Sequence, residues 1–286
     1  MKLLTFNMHS RPERGEALLQ PFGALLAREQ PDVIALQEVN QSMCAAPLLS
    51  DALAFLGGVP LPDGAPSLPI KKDNVALMLA RMLWERGLDY HWLWLPVKCG
   101  YRCYDEGVAL LMRRRPEAIV MPWLSLTTDA GNWRTRRALG ALCDGAWFYS
   151  VHTGRWDDRQ EPFSQQWRRL QQACAAHVQP TFLLGDFNCP AKERGGGYDR
   201  MLQDGWHDMH TAAQSRRGDA TAHASIDGWQ DESHSLPMRI DYILADRPCR
   251  VLRSVTLMDG GDGEVISDHF ALLAELQPEW EVRENG

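Results

Sequence analysis

The chain has 286 residues, 45% of them hydrophobic and 23% charged, with a formal charge of −7 and a pI near 5.7. This is ordinary globular composition with material for a sizeable core, and no apolar run approaches the roughly 18 residues that a membrane-spanning helix needs. The acidic balance argues against a protein whose principal affinity is for a polyanion, because non-specific nucleic-acid binding rests on phosphate neutralisation by Lys and Arg.

The N-terminus passes from Met1-Lys2 directly into Leu3-Leu4-Thr5-Phe6-Asn7, which reads as a core strand. It lacks the length and cleavage site of a signal peptide, so the expected location is cytoplasmic. Seven cysteines, an odd number without a paired framework, fit a reducing compartment. Cys99 and Cys103 have no second Cys/His pair at a zinc spacing.

After the first strand, Glu13 to Glu29 reads as a helix, with Ala17, Leu18, Phe22, Leu25 and Leu26 at helical spacing. Val33 to Leu36 follows as a buried strand that ends at Gln37-Glu38, and the Gly- and Pro-rich residues 57–69 read as a loop. Asn74 to Arg86 reads as an amphipathic helix capped by Asp73 or Asn74. Tyr90 to Val97 is a predicted strand, Cys99 to Glu106 a loop, and Gly107 to Met112 another strand, continued by Ala118 to Met121.

Arg136 to Leu142 and Trp147 to Val151 read as a hairpin across Cys143-Asp144-Gly145, with His152 at its end. Glu161 to His177 reads as a helix leading to the apolar strand Phe182-Leu183-Leu184, which runs into Gly185-Asp186-Phe187-Asn188. A short helix near Tyr198 to Gln203, an irregular polar region from His207 to Pro237, and strands over Arg239 to Leu244, Val251 to Leu257 and His269 to Leu276 complete the chain. No repeat or linker interrupts it. Strands spread from start to finish with helices between some of them predict one domain, residues 1–286, of two packed sheets with helices outside.

The chemistry-bearing feature is the set of polar residues that close or interrupt apolar strands: Asn7, Glu38, Glu106, His152, Asp186, Asn188, Asp241, Asp268 and His269. Asp186 and Asn188 stand two apart on an extended backbone and share one side of it. Each residue alone has an ordinary structural reading as a cap or a solvated acid. Nine of them, of the types one reaction needs, recur at strand ends.

The set Asn7, Gln37-Glu38, Gly185-Asp186-Phe187-Asn188, Arg239-Ile240-Asp241-Tyr242 and Ser267-Asp268-His269, in this order, resembles the endonuclease/exonuclease/phosphatase superfamily, from Leu3 to Leu276. That superfamily includes DNase I, abasic-site endonucleases, neutral sphingomyelinases and inositol polyphosphate 5-phosphatases. The resemblance implies a DNase I-like, four-layered α/β sandwich with the site between the ends of the two sheets, and Mg²⁺-dependent hydrolysis of a phosphate ester, with Mn²⁺ as a substitute. The residue types agree. Hard oxygen ligands such as Glu38, supported by Asn7 and Asp268, suit Mg²⁺. Asp186 is placed to orient or deprotonate the attacking water, and Asn188 to donate to the phosphate.

By the same resemblance, Asp241 orients His269, which donates to the developing charge, and His152 is a second histidine, oriented by Glu106. Abasic-site endonucleases carry tyrosine at the His152 position. Which of Asp186 and His269 takes the water's proton stays open, and His9, two after Asn7, leaves the number of metal ions open. Arg134, Arg136 and Arg137 either fork onto a substrate phosphate or form a solvated strand edge.

Loops decide which ester is cleaved. Gly100 to Gly107, Asn132 to Arg136, His152 to Trp156 and Ser225 to Trp229 look like an intracellular bacterial subgroup that includes maltose 6'-phosphate phosphatase. That likeness implies a small phosphorylated sugar as substrate. Independently, the loop aromatics Tyr101, Tyr104, Trp133, Trp156, Trp167 and Trp229 stand beside charged groups, as sugar-binding rings do, with several of them expected in the core, and Arg134 and Arg136 are the candidates for its phosphate. Nucleic acid and membrane are not expected partners, and the oligomeric state is open. The alternative is a DNase I-like endonuclease or phosphodiesterase.

Overall fold

The computed structural model describes residues 1–224, 226 and 237–277. Strand β1 (Lys2–Asn7) is followed by two 3-10 turns (Pro12–Arg14 and Glu16–Leu19), α1 (Gln20–Glu29) and β2 (Val33–Ser42). The single helix expected over Glu13 to Glu29 is therefore divided. Gly15 takes a left-handed φ of 67°, and Pro21 fits only the first turn of a helix, so regular α structure begins at Gln20.

Next come α2 (Ser50–Phe55) and α3 (Val75–Trp84). Asn74 caps α3, its side chain accepting from the amides of Ala76 and Leu77. Asp73 instead accepts from the amide of Ser42 at 3.1 Å. Strands β3 (His91–Gly100) and β4 (Tyr104–Met112) pair as far as Gly100 opposite Tyr104. The loop expected over Cys99 to Glu106 thus shrinks to a tight turn, which Tyr101 and Arg102 make with φ of 48° and 62°.

The chain continues through β5 (Ala118–Val120), β6 (Leu139–Cys143) and β7 (Ala146–His152), the last two joined by Asp144 and Gly145 at φ of 47° and 73°. Positive φ at both central residues matches the twist of a two-residue hairpin. Helix α4 (Phe163–Cys174), β8 (Thr181–Asp186) and α5 (Gly197–Gln203) follow. The region expected to be irregular carries β9 (His207–Asp208), α6 (Met209–Ala212) and β10 (Ser215–Arg217), each too short to leave a readable period. Strands β11 (Asp241–Ala245), β12 (Arg250–Leu257) and β13 (Ala271–Gln277) end the described chain. No helix among the described residues is long and apolar enough to cross a membrane.

The strands form two mixed sheets, of order β10-β12-β13-β1-β2-β4-β3 and β5-β6-β7-β8-β11-β9. Three apolar clusters show how they are layered. In the first, Leu4, Phe6, Ile34 and Leu36 pack against Phe22 and Leu26 of α1 and Leu79 and Leu83 of α3. In the second, Leu3, Ala35 and Leu110 of one sheet meet Phe148, Phe182, Leu184 and Ile243 of the other. In the third, Tyr149, Leu183, Tyr242 and Leu244 pack against Trp167 and Leu170 of α4 and Met201 of α5. Helix, sheet, sheet, helix is the four-layered α/β sandwich. Each fully buried Leu or Phe contributes about 1.5–3 kcal/mol relative to exposure.

Strand alternation carries the functional side chains to one end of the middle layer. Leu3 faces the other sheet, so Thr5 and Asn7 do as well; Phe182 and Leu184 face inward, so Asp186 does; Phe148 leads through Ser150 to His152, and Ile243 back to Asp241. Registers align these tips: His152 lies opposite Asp186 across parallel β7–β8, and Asp241 opposite Asp186 across antiparallel β8–β11. Gly185 makes the β7–β8 approach possible, since a Cβ there would stand 1.8 Å from the carbonyl oxygen of Val151.

Candidate active site

The polar tips floor a cleft of about 430 Å³. Glu38, Glu106, Arg136, His152, Asp186, Asn188, Asp268 and His269 line it, all named among the sequence candidates. Asn7 and Asp241 lie fully buried immediately behind them. Two bulges aim residues that alternation alone does not. The β2–β4 register slips between Leu36 and Val39, where Glu38 adopts φ of 50°, and the β3–β4 register slips between Pro96 and Lys98.

Asn7 joins the two sheets. Its Nδ2 donates to Glu38 Oε1 at 3.1 Å and to Asp186 Oδ2 at 3.0 Å, while its Oδ1 accepts from the amide of His9. It therefore fixes the two carboxylates relative to each other. Asp186 Oδ1 accepts from the amide of Asn188, which sits at a left-handed φ of 49° and donates Nδ2 to the Thr153 carbonyl. His269 shares its Nδ1 proton with Asp241 Oδ2 at 2.9 Å, and its backbone amide donates to Ser267 Oγ.

Asp186 Oδ2 lies between two imidazoles, 3.7 Å from His152 Nε2 and 3.8 Å from His269 Nε2. The rings are tuned apart. Burial, reinforced by Arg136, Lys98 and His269, drives His152 well below the ordinary histidine value, so it is neutral. Burial acts on His269 too, but Asp241 and Asp186 outweigh it and hold it up at about 10, as imidazolium. Asp186 is raised to about 7, chiefly by burial and further by Asp241, with His269 opposing. A cationic donor, a neutral ring and a carboxyl group that titrates near neutrality thus share one cleft floor.

Glu38 is raised by burial and by Glu106. Its Oε1 accepts from Asn7, and its carboxylate looks into the cleft, so this part of the floor favours a cation and offers the hard oxygen donors that Mg²⁺ takes. One ligand atom each of Asp186, Asp241 and His269 also lie within 4.8 Å of one another. The imidazolium state of His269 and its Nδ1 bond to Asp241 fit that trio to proton handling better than to ligation. Asp268 is partnered by His9 Nδ1 at 2.9 Å.

Several expectations are corrected. Glu106 does not orient His152: it is held by Lys98 Nζ at 2.6 Å, across the β3–β4 pair, and among the described residues no hydrogen bond joins it to His152. Tyr104 is drawn away from the cleft, donating its hydroxyl to Glu13 Oε2 at 2.7 Å. Arg134 bonds Asp158 Oδ2 at 2.8 Å with its guanidinium over the Trp133 ring, and does not line the cleft. Trp156 is half-buried, packed against Ile226 and Ile240 and not lining the cleft, its amide donating to the Asn188 carbonyl. Trp229 lies outside the described residues.

The cleft is also lined by Lys98 and Arg155, which the sequence did not single out, and by Tyr101 and Trp133, two of the loop aromatics named as candidate sugar contacts. A lysine two residues before Gly100 in an otherwise apolar strand was the available signal for Lys98. Tyr101 and Trp133 are 54% and 56% exposed at the rim, which marks them as surface aromatics facing the opening.

A sequence profile described as "Endonuclease/Exonuclease/phosphatase family" matches residues 4–269. Among solved structures, an endonuclease/exonuclease/phosphatase family protein from Leptotrichia buccalis has a TM-score of 0.81 at 25% identity, covering 97% of this chain and 100% of its own. A mannosyl-6-phosphatase from Bacteroides thetaiotaomicron has a TM-score of 0.63 at 16% identity, over 97% and 100%. A 3' phosphatase from Neisseria, bound to a product DNA hairpin, has a TM-score of 0.62 at 18% identity, over 97% and 100%. No curated protein matches the sequence.

Proposed function

We propose that this chain, which belongs to the endonuclease/exonuclease/phosphatase family, is a Mg²⁺-dependent phosphomonoesterase that hydrolyses a small phosphorylated sugar of the maltose 6'-phosphate kind. The observation that carries the reading is Asp186 Oδ2 set between the neutral ring of His152 and the imidazolium of His269.

The divalent ion would be held by Glu38, with Asp268 beside it and Asn7 fixing the Glu38 carboxylate; when bound it supplies Lewis-acid stabilisation of the phosphoryl and leaving oxygens. Every other step belongs to side chains. Asp186, raised to about 7, accepts the proton of the attacking water, a task that His269 cannot take while it is held protonated. His269 donates from Nε2 to a phosphoryl oxygen, with Asp241 fixing its ring. Arg136, buried and lining the cleft, is held by Nη1 donating to the Trp133 and Thr135 carbonyls and brings its positive charge to the same phosphoryl group.

Three features favour a small monoester. The cleft is of metabolite size, Tyr101 and Trp133 at the rim offer ring faces to a sugar, and the chain is acidic overall. The similar mannosyl-6-phosphatase fits this reading. One observation favours a second reading, hydrolysis of nucleic acid. A neighbouring hollow of about 270 Å³ shares Asp268 with the cleft and carries Arg11 and Arg14, which suits a second phosphate.

The two readings separate in one experiment: phosphate release from a panel of sugar phosphates, including maltose 6'-phosphate, run with Mg²⁺ beside a plasmid-nicking assay. Release from a sugar phosphate with intact plasmid is the expected result. Nicked plasmid with inert sugar phosphates would establish the second reading instead.

A further inference from the structure

Glu38 on β2 and Glu106 on β4 look into the same cleft from neighbouring strands. They are close enough that Glu106 raises the pKa of Glu38. Paired divalent ions sit about 3.5–4 Å apart in two-metal sites, and two carboxylates on one floor offer the hard oxygens such ions take. Here the floor is occupied by a side chain.

The bulge between Pro96 and Lys98 turns Lys98 toward Glu106 in register, and Nζ lies 2.6 Å from Glu106 Oε1 with the two side chains only 10% and 8% exposed. Gly100 completes the seat. A Cβ there would lie 2.7 Å from Glu106 Oε2, so the carboxylate rests against the bare backbone of β3 beside the ammonium. Lys98 is also within electrostatic reach of Glu38, whose pKa it lowers.

We propose that Lys98 is a built-in cation standing where a second metal ion would otherwise sit, so that Glu106 is neutralised by the protein itself and the site binds one divalent ion, at Glu38. The inference rests on the reading that Glu38 holds a divalent ion. It adds what that reading leaves open, the number of ions and the residue that sets it. An ammonium bonded to Glu106 Oε1 and a metal ion on the same oxygen exclude each other, by charge and by contact distance.

The test is the stoichiometry of Mn²⁺ bound to metal-free protein, followed by isothermal titration calorimetry and by water-proton relaxation. The wild type should bind one ion, Glu38→Gln none, and Lys98→Met two, with Lys98→Arg remaining at one. Lys98→Met leaves Glu106 buried and unpaired, which endangers folding. The double variant Lys98→Met with Glu106→Gln removes the pair without leaving a charge, and should bind one ion with affinity within about threefold of wild type.

Two ions in the wild type, one ion in a folded Lys98→Met, or a tenfold loss of affinity in the double variant would each overturn the inference. No ion in the wild type would instead defeat the metal reading itself, and the phosphate-release assay would show that failure separately.

Discussion

Replacing Asp241 by Asn tests the idea that His269 works as a fixed cation. The substitution keeps the shape of a fully buried side chain and the amide that Thr221 Oγ1 receives from residue 241, but removes the carboxylate bonded to His269 Nδ1 at 2.9 Å. Burial then acts on His269 with its main opposition gone, and its pKa should fall from about 10 to the ordinary 6.5 or below. At pH 8 a ring with that ordinary pKa is only about 3% protonated, so charge alone removes roughly 30-fold of activity. Loss of the ring's orientation brings the total to about 10³.

The assay is phosphate release across pH with saturating Mg²⁺. Wild-type activity should need Asp186 deprotonated and His269 protonated, giving limbs governed by groups near about 7 and about 10. In Asp241→Asn the alkaline limb should move down by several pH units, and the deficit should shrink as the pH is lowered toward 6. An unchanged alkaline limb, with a deficit constant across pH, would refute the argument.

Stability should follow the same histidine. Its folded-state pKa is raised, so its protonated form stabilises the fold fully below the ordinary 6.5, and that contribution disappears as the pH rises to about 10. The gap in Tm between wild type and His269→Gln should accordingly be widest near pH 6 and close by pH 10. Asn74→Ala removes the two cap bonds of α3, and should lower stability by about 1 kcal/mol in urea denaturation with phosphate release unchanged. Trp133→Ala should raise KM for a sugar phosphate by about fivefold while leaving that for glycerol phosphate unchanged, if its exposed face receives the sugar.

The residues legible in the sequence are those whose aim depends on strand alternation alone. Asn7, His152, Asp186 and Asp241 each continue an inward-facing apolar row, and their strands end at one level. Where a bulge redirects the chain, alternation gives the wrong partner. Lys98 turns inward only because the register slips after Pro96, and that slip takes Glu106 from the histidine it was expected to orient. Side-chain partners far away in sequence were equally hidden: Glu13 claims Tyr104 and Asp158 claims Arg134, across 91 and 24 residues. The layers themselves were readable because three sets of apolar residues repeat along nearly every strand. The elements between His207 and Arg217 were not, since two to four residues carry no period.

The most direct measurement follows phosphate release from the best sugar phosphate by wild type and Asp186→Asn in Mg²⁺, then after EDTA, then after Mg²⁺ is restored. The account predicts turnover by the wild type alone, abolished by the chelator and recovered with the metal, while Asp186→Asn stays folded and inactive throughout. Full activity in EDTA, or turnover by Asp186→Asn at the wild-type rate, would contradict it.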